Sequence, residues 1–164
     1  LTLALATHQP LTYLINIYVV STAMVQVDIV EWSLPMYMLA LLFFVPVLGW
    51  EISRKIKAKG TENEYVTYSK VFGYQGATLI CLFIHTAFAF GLIWTGLLLD
   101  FPVSHIIIQS IVLLLVVFVH LRFLIYPTEK NMILKKSSEI QSALTTLIYL
   151  VYLIGQFGME WRWF

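Results

Sequence analysis

Five apolar stretches separated by polar segments dominate the sequence, at about residues 11 to 27, 34 to 50, 74 to 99, 103 to 126 and 140 to 157. Each is close to the ~20 residues that a helix needs to cross the hydrocarbon core of a bilayer. The stretches are continuously apolar, whereas the strands of a membrane barrel alternate between apolar and polar residues. The pattern therefore predicts an all-α bundle of about five transmembrane helices, forming a single domain over residues 1–164.

Composition strengthens this interpretation, because 60% of the residues are hydrophobic, 12% are charged and the mean hydropathy is +0.84. A water-soluble domain of this size could not bury several apolar runs of membrane-spanning length, so we expect a lipid bilayer around the chain. The net charge of +1 gives no basis for a nucleic-acid partner. The single cysteine, Cys81, lies inside an apolar run, so we expect neither a disulfide framework nor a thiolate metal site.

Basic residues are concentrated in two of the polar segments, and this distribution predicts the orientation of the chain. Nine of the ten basic residues lie in the loops 51–70 and 122–139, and only Arg162 lies elsewhere. Loops rich in Lys and Arg generally face the cytoplasm, so we expect both to be cytoplasmic in a multi-pass protein of the cytoplasmic membrane. Five spans then place the N-terminus inside and the C-terminus outside.

The most polar segment, WEISRKIKAKGTENEYVTYSKVFG, runs from Trp50 to Gly73. We expect the second helix to continue out of the membrane to about Gly60, with Glu51, Arg54, Lys55 and Ala58 on one face. Arginine and lysine neutralise phosphate oxygens, and carboxylates hold Mg²⁺, so this mixture suits a diphosphate. The alternative is an ordinary surface ion pair between Glu51 and Lys55, with the basic residues acting only as determinants of topology.

The run E-I-S-R-K-I-K-A at residues 51–58, followed by acids and then by V-T-Y-S-K at 66–70, resembles the second acidic motif of UbiA-type intramembrane prenyltransferases. In that family the motif lies on a cytoplasmic loop between the sixth and seventh of nine helices. The resemblance implies that the five spans correspond to helices five to nine. It also implies transfer of an isoprenyl group from an isoprenyl diphosphate to a lipophilic, for example aromatic, acceptor.

The same resemblance implies Mg²⁺ as the cofactor and assigns roles to particular residues. The residues expected to bind diphosphate are Arg54, Lys55, Lys57 and Lys70. The residues expected to bind the metal are Glu51, Glu62 and Glu64.

Two departures from the family pattern modify these expectations. The commoner motif is D-x-x-x-D, in which Glu51 stands at the first acidic position and Lys55 at the second. The first acidic motif of the family, N-D-x-x-D, does not occur in these residues. We therefore expect the missing N-terminal half of the same parent chain to supply it, and the isolated chain to be inactive. The alternatives are a non-catalytic membrane scaffold and a small transporter half, although the spans lack the buried acid that transport sites commonly use.

Three polar residues within the apolar runs are candidates for lining a cavity, namely Asn16, His85 and His120. Polar side chains inside a membrane generally face the bundle interior or a water-filled space. The alternative for each is a hydrogen bond that only joins two helices. We expect the two histidines to have no acidic or thiol companion, and we therefore predict no metal for them.

Overall fold

The structure is a computed structural model that describes residues 2–26, 31–58, 60–61 and 67–157. It is built from five α-helices, which are α1 (Thr2–Gln26), α2 (Leu34–Ser53), α3 (Tyr68–Leu98), α4 (Val103–Ile125) and α5 (Leu134–Phe157). A single 3₁₀ turn, Glu129–Asn131, lies between α4 and α5. The described residues contain helices and no strands, which confirms the prediction of an all-helical chain.

Three segments of the described chain are long and apolar enough to cross a membrane: Met36–Ser53, Tyr68–Leu98 and Val103–Ile125. The prediction of apolar helices long enough to span a membrane is confirmed for these three. For α1 and α5, passage through the bilayer stays a prediction.

The distribution of side chains between the interior and the surface also fits a lipid environment. Large apolar side chains point outward, among them Phe83 at 73% exposure and Leu114 at 66%. Polar side chains point inward, and Gln109, Gln141 and Thr145 are fully buried. This arrangement would be unfavourable in water but is favourable in lipid, where the polar groups find partners only inside the bundle.

Helices α2 to α5 pack into one group, because α2 and α3 both contact α5 in addition to their neighbours in sequence. The two basic loops lie at the same end of this group. Residues from both loops, including Ile56 and Leu134, share one core cluster. The indole nitrogen of Trp50 also donates to Glu139 Oε1 at 3.0 Å. Both loops therefore face the same side of the membrane if the helices span it, and the assignment of that side to the cytoplasm stays a prediction.

Helix α2 ends at Ser53, so the expectation that it continues to about Gly60 is wrong. Its last turn tightens through bonds from Lys55 N to Ile52 O at 3.0 Å and from Ile56 N to Ser53 O at 3.3 Å. The chain then turns inward, leaving the side chain of Ile56 only 2% exposed. Burial of this apolar side chain outweighs the modest preference of the segment for helix.

Helix α3 begins with a short turn before its membrane-spanning part. The hydroxyl of Thr67 accepts a hydrogen bond from Lys70 N at 3.3 Å, as expected of a residue that caps a helix N-terminus. Gly73 then interrupts the helix with φ of +69° and ψ of 158°, a conformation that favours glycine. The continuous part of α3 therefore starts immediately after Gly73, where the sequence places the third apolar stretch.

Candidate functional site

The first group of candidate residues surrounds the end of α2. The carboxylate of Glu51 is largely buried and pairs with two cations. Its Oε2 atom accepts from Arg54 Nε at 2.5 Å, and its Oε1 atom contacts the ammonium of Lys55. The Arg54 guanidinium also lies 4.9 Å from the centre of the Trp50 indole, within range of a cation–π interaction. Glu51 therefore holds both cations together at one end of the bundle.

Backbone hydrogen bonds join the two halves of this polar segment. Tyr68 N donates to Lys55 O at 3.2 Å, and Lys57 N donates to the hydroxyl of Ser69 at 2.6 Å. The Lys55 ammonium lies 5.9 Å from the centre of the Tyr68 ring. The E-I-S-R-K-I-K-A and T-Y-S-K parts of the sequence thus form one packed unit between α2 and α3.

The exposure of the basic side chains determines which of them can meet a ligand from solution. The side chains of Arg54 and Lys55 are 40% and 26% exposed, so both are partly accessible although paired with Glu51. Lys70 is exposed and Lys57 is half-buried. The structure thus brings Glu51, Arg54 and Lys55 together at the junction of α2 and α3.

Magnesium requires oxygen ligands that are free to coordinate it. Both carboxylate oxygens of Glu51 are engaged by cations, so a metal ion at this carboxylate would have to displace Arg54 or Lys55. The other two residues expected to bind the metal, Glu62 and Glu64, lie outside the described residues.

A second group of polar residues lies in the interior of the bundle. Cys81 and His85 are one turn apart on α3, and His120 reaches them from α4. The three side chains are buried, and one potential ligand atom from each lies within 4.8 Å of the others. The expectation that the two histidines have no thiol companion is therefore wrong, because Cys81 lies beside both.

Hydrogen bonds hold these three side chains in place. His120 Nδ1 bonds to Val116 O at 2.8 Å, and since a carbonyl oxygen only accepts, Nδ1 carries the proton. His85 Nε2 lies 2.6 Å from the hydroxyl of Ser138 on α5. Cys81 Sγ donates to Gly49 O on α2 at 3.7 Å.

One ring nitrogen of each histidine remains without a partner. Among the described residues, His85 Nδ1 and His120 Nε2 are buried and have no hydrogen-bond partner. In a neutral imidazole only one nitrogen carries a proton, so His120 Nε2 presents a free lone pair. Most buried polar atoms in folded proteins are hydrogen-bonded, so two such atoms beside the Cys81 thiol make this cluster a candidate ligand site.

Close packing at Gly49 allows α2 to form one wall of this cluster. A β-carbon added at Gly49 would lie 2.8 Å from His85 Cε1, closer than such atoms normally approach. Any larger residue would therefore displace the His85 ring. Helix α5 also lies against the cluster, where Gln141 Nε2 donates to His85 O at 3.2 Å. Helices α2 to α5 all contribute to the cluster.

Asn16, the third residue expected to line a cavity, has a different environment. Its side-chain amide donates to Ala40 O at 3.1 Å and so joins α1 to α2. This contact agrees with the alternative interpretation, in which a polar residue inside a span makes a hydrogen bond between helices.

The sequence did contain a signal for the buried cluster. Cys81 and His85 are four residues apart in a continuous apolar run, so any helix over that run places them on one face. His120 gives no such local signal, since it lies on another helix. The chain matches no protein-family model, no curated protein and no solved structure.

Proposed function

We propose that this chain is the part of an intramembrane prenyltransferase that binds an isoprenyl diphosphate at the junction of α2 and α3. The supporting observation is the arrangement of Glu51, Arg54 and Lys55, in which a buried carboxylate holds two partly exposed cations side by side. The resemblance of residues 51–70 to the second acidic motif of the UbiA family gives this arrangement its proposed ligand. The five helices would then correspond to helices five to nine of that family.

The two cations complement a diphosphate in different ways. The guanidinium of Arg54 can donate two parallel hydrogen bonds to phosphate oxygens, while Lys55 provides a compact positive charge. Lys57 and Lys70 on the same loop would add weaker, solvent-screened attraction. The isoprenyl tail would lie along the apolar helices, with the diphosphate at the membrane boundary.

As these cations turn towards phosphate oxygens, the carboxylate of Glu51 becomes free, and it would hold Mg²⁺ together with Glu62 and Glu64. A bound Mg²⁺ ion would neutralise charge on the diphosphate as it leaves.

In the proposed reaction the bond between the allylic carbon and the diphosphate oxygen breaks, and the electron pair leaves with the diphosphate. A new bond forms between that carbon and the lipophilic acceptor, which loses a proton. Positive charge from Arg54 and Lys55 stabilises the leaving diphosphate, and such stabilisation is usually a large catalytic contribution. The N-terminal half of the parent chain would supply the first acidic motif.

Donor binding to the purified chain tests this proposal directly. We expect Arg54→Ala to weaken binding of geranylgeranyl diphosphate by about 10- to 100-fold, because a hydrogen bond to a charged group is worth ~1.5 to 3 kcal/mol. We expect Glu51→Gln to remove any gain in affinity that Mg²⁺ produces. Isothermal titration with and without Mg²⁺ measures both effects.

Lys135→Ala is the matched control, because Lys135 lies at the same end of the bundle and pairs with Glu139 at 3.7 Å. Its affinity for the donor should stay within about twofold of wild type, since exposed pairs contribute little. Wild-type affinity in Arg54→Ala would contradict the proposal and favour a scaffold. Equal competition by vesicles of an anionic phospholipid would show that the loop binds headgroups in general.

A further inference from the structure

We propose that Cys81, His85 and His120 form a binding site for a single Cu(I) ion in the interior of the bundle. This site is separate from the diphosphate site proposed above and does not depend on it. The residue types, their burial and their mutual distances all support the assignment.

The donor set is typical of a soft metal ion. One thiol and two imidazoles present ligand atoms within 4.8 Å of one another. Thiolate ligands select Cu(I) or Zn²⁺ over Mg²⁺ and Ca²⁺, and Cys with two His is a known trigonal copper set. Metal bonds to nitrogen and sulfur of ~2.0 to 2.3 Å require the three atoms to move closer by about 1 Å, which small side-chain rotations can supply.

The hydrogen bonds around the cluster prepare the histidines for coordination. A metal-binding histidine usually donates its other N–H to a carbonyl or a similar acceptor, which fixes the ring and its tautomer. His120 has this arrangement, with Nδ1 bonded to Val116 O and Nε2 free. His85 has it as well when Ser138 accepts from Nε2, which leaves Nδ1 free. The two unpartnered nitrogens are thus available to bind the metal ion.

Charge balance favours a monovalent ion. The cluster is fully buried, and among the described residues no carboxylate belongs to it. Cu(I) with one thiolate and two neutral imidazoles is electrically neutral, whereas Zn²⁺ with the same ligands leaves an unpaired positive charge. An uncompensated charge in an apolar interior is strongly unfavourable. We therefore assign Cu(I) to this site.

Binding requires only an exchange of a proton for the metal ion. The Cys81 thiol loses its proton to solvent, the sulfur forms a bond to Cu(I), and no electron is transferred. The hydrogen bond from Cys81 Sγ to Gly49 O is lost in this exchange.

A groove of about 310 Å³ between α4 and α5 lies near the site, although none of the three ligand residues lines it. Its lining includes Lys136 and Ser137 near the loop end of the bundle and continues past Val116 and Gln141 to Val112 and Leu144. The Gln141 side chain donates to His85 O and the carbonyl oxygen of Val116 accepts from the His120 ring, so two residues of this groove contact the histidines of the site.

The test is a Cu(I) titration of the purified protein in detergent under anaerobic, reducing conditions, with a chromogenic Cu(I) chelator as competitor. We expect one ion per chain. Cys81→Ser and His120→Gln should each weaken binding at least about 100-fold, because even supporting residues of metal sites contribute 10- to 100-fold. X-ray absorption of the wild-type complex should show one sulfur and two nitrogen neighbours, and this measurement does not require a variant to fold.

His105→Gln is the matched control, since His105 is also fully buried on α4 and lies outside the cluster. Its Cu(I) affinity should equal that of wild type. Wild-type affinity in Cys81→Ser would overturn the proposal, as would the absence of sulfur from the copper environment. Tighter binding of Zn²⁺ than of Cu(I) at the same residues would overturn the assignment to a monovalent ion.

Discussion

Two regions of the bundle contain fully buried histidines, and they differ in what surrounds the imidazole. His85 and His120 lie edge to face, with ring centres 5.6 Å apart, beside the Cys81 thiol. His105, near the opposite end of α4, lies instead among aromatic rings, with the centres of Phe101 and Tyr152 at 5.1 and 5.2 Å. Burial of a histidine within a span is therefore compatible with quite different environments.

The comparison shows what makes a buried polar residue a candidate ligand. Both regions contain an unpartnered ring nitrogen, since His105 Nδ1 also has no hydrogen-bond partner among the described residues. Within the described part of the chain, the Cys81 region alone of the two brings two further ligand atoms within reach of a histidine. In the His105 region the neighbouring polar group is Gln109, whose amide nitrogen lies 3.4 Å from His105 Nε2. We interpret the His105 region as structural, held by aromatic packing.

The largest loss of stability is expected from a substitution in the aromatic packing around His105. Phe101 is 6% exposed and contacts His105, Tyr149 and Tyr152. We expect Phe101→Ala to lower the free energy of unfolding by about 3 kcal/mol, near the low end for a buried phenylalanine, because lipid weakens the transfer contribution. Equilibrium unfolding in SDS measures this loss. Unchanged Cu(I) affinity is expected, and a loss of copper binding without unfolding would show that the two regions are coupled.

Replacing either of two tightly packed glycines by alanine should distinguish the two regions, because only one of the substitutions should change Cu(I) affinity. A β-carbon at Gly49 would meet His85 Cε1 at 2.8 Å, and one at Gly96 would meet His105 Cε1 at 2.6 Å. Both substitutions should destabilise the fold by about 1 to 3 kcal/mol through overpacking. Only Gly49→Ala should also weaken Cu(I) binding, because it displaces a ligand.

The control for these substitutions is Gly155→Ala, since nothing lies within 4 Å of an added β-carbon at that position of α5. It should leave stability unchanged or raise it by up to ~1 kcal/mol, as alanine favours helix over glycine. Equal loss of copper affinity in Gly49→Ala and Gly96→Ala would contradict the division into two regions.

The smallest losses of stability are expected from substitutions of two buried glutamines whose side chains hydrogen-bond to a neighbouring helix. Gln141 Nε2 donates to His85 O, and Gln109 Nε2 donates to Thr145 O at 3.3 Å. Replacing either by leucine should cost about 0.6 kcal/mol, the average for hydrogen bonds between membrane helices. Thermal unfolding in detergent compares the two variants. A loss well above 2 kcal/mol for Gln141→Leu alone would indicate that Gln141 supports the metal cluster beyond one hydrogen bond.

The polar loop illustrates where sequence patterns are reliable and where they are not. The proximity of Glu51, Arg54 and Lys55 follows from their spacing, because residues three and four apart are neighbours in any helical turn. The end of α2 at Ser53 does not follow from spacing, since it depends on Ile56 entering a core that α3, α4 and α5 complete. The local pattern around Ile56 carries no information on the helices, distant in sequence, that bury its side chain.

The sequence alone predicts an all-helical chain with helices apolar enough to cross a membrane, and it predicts that the two basic loops face the same side. These properties depend on the length of continuous apolar runs and on the positions of basic residues between them, both of which are visible in the sequence. The meeting of His120 with Cys81 and His85 emerges only when the helices pack together. That meeting depends on how α3 and α4 pack against each other. Packing between helices acts through space, so no spacing along one helix can specify it.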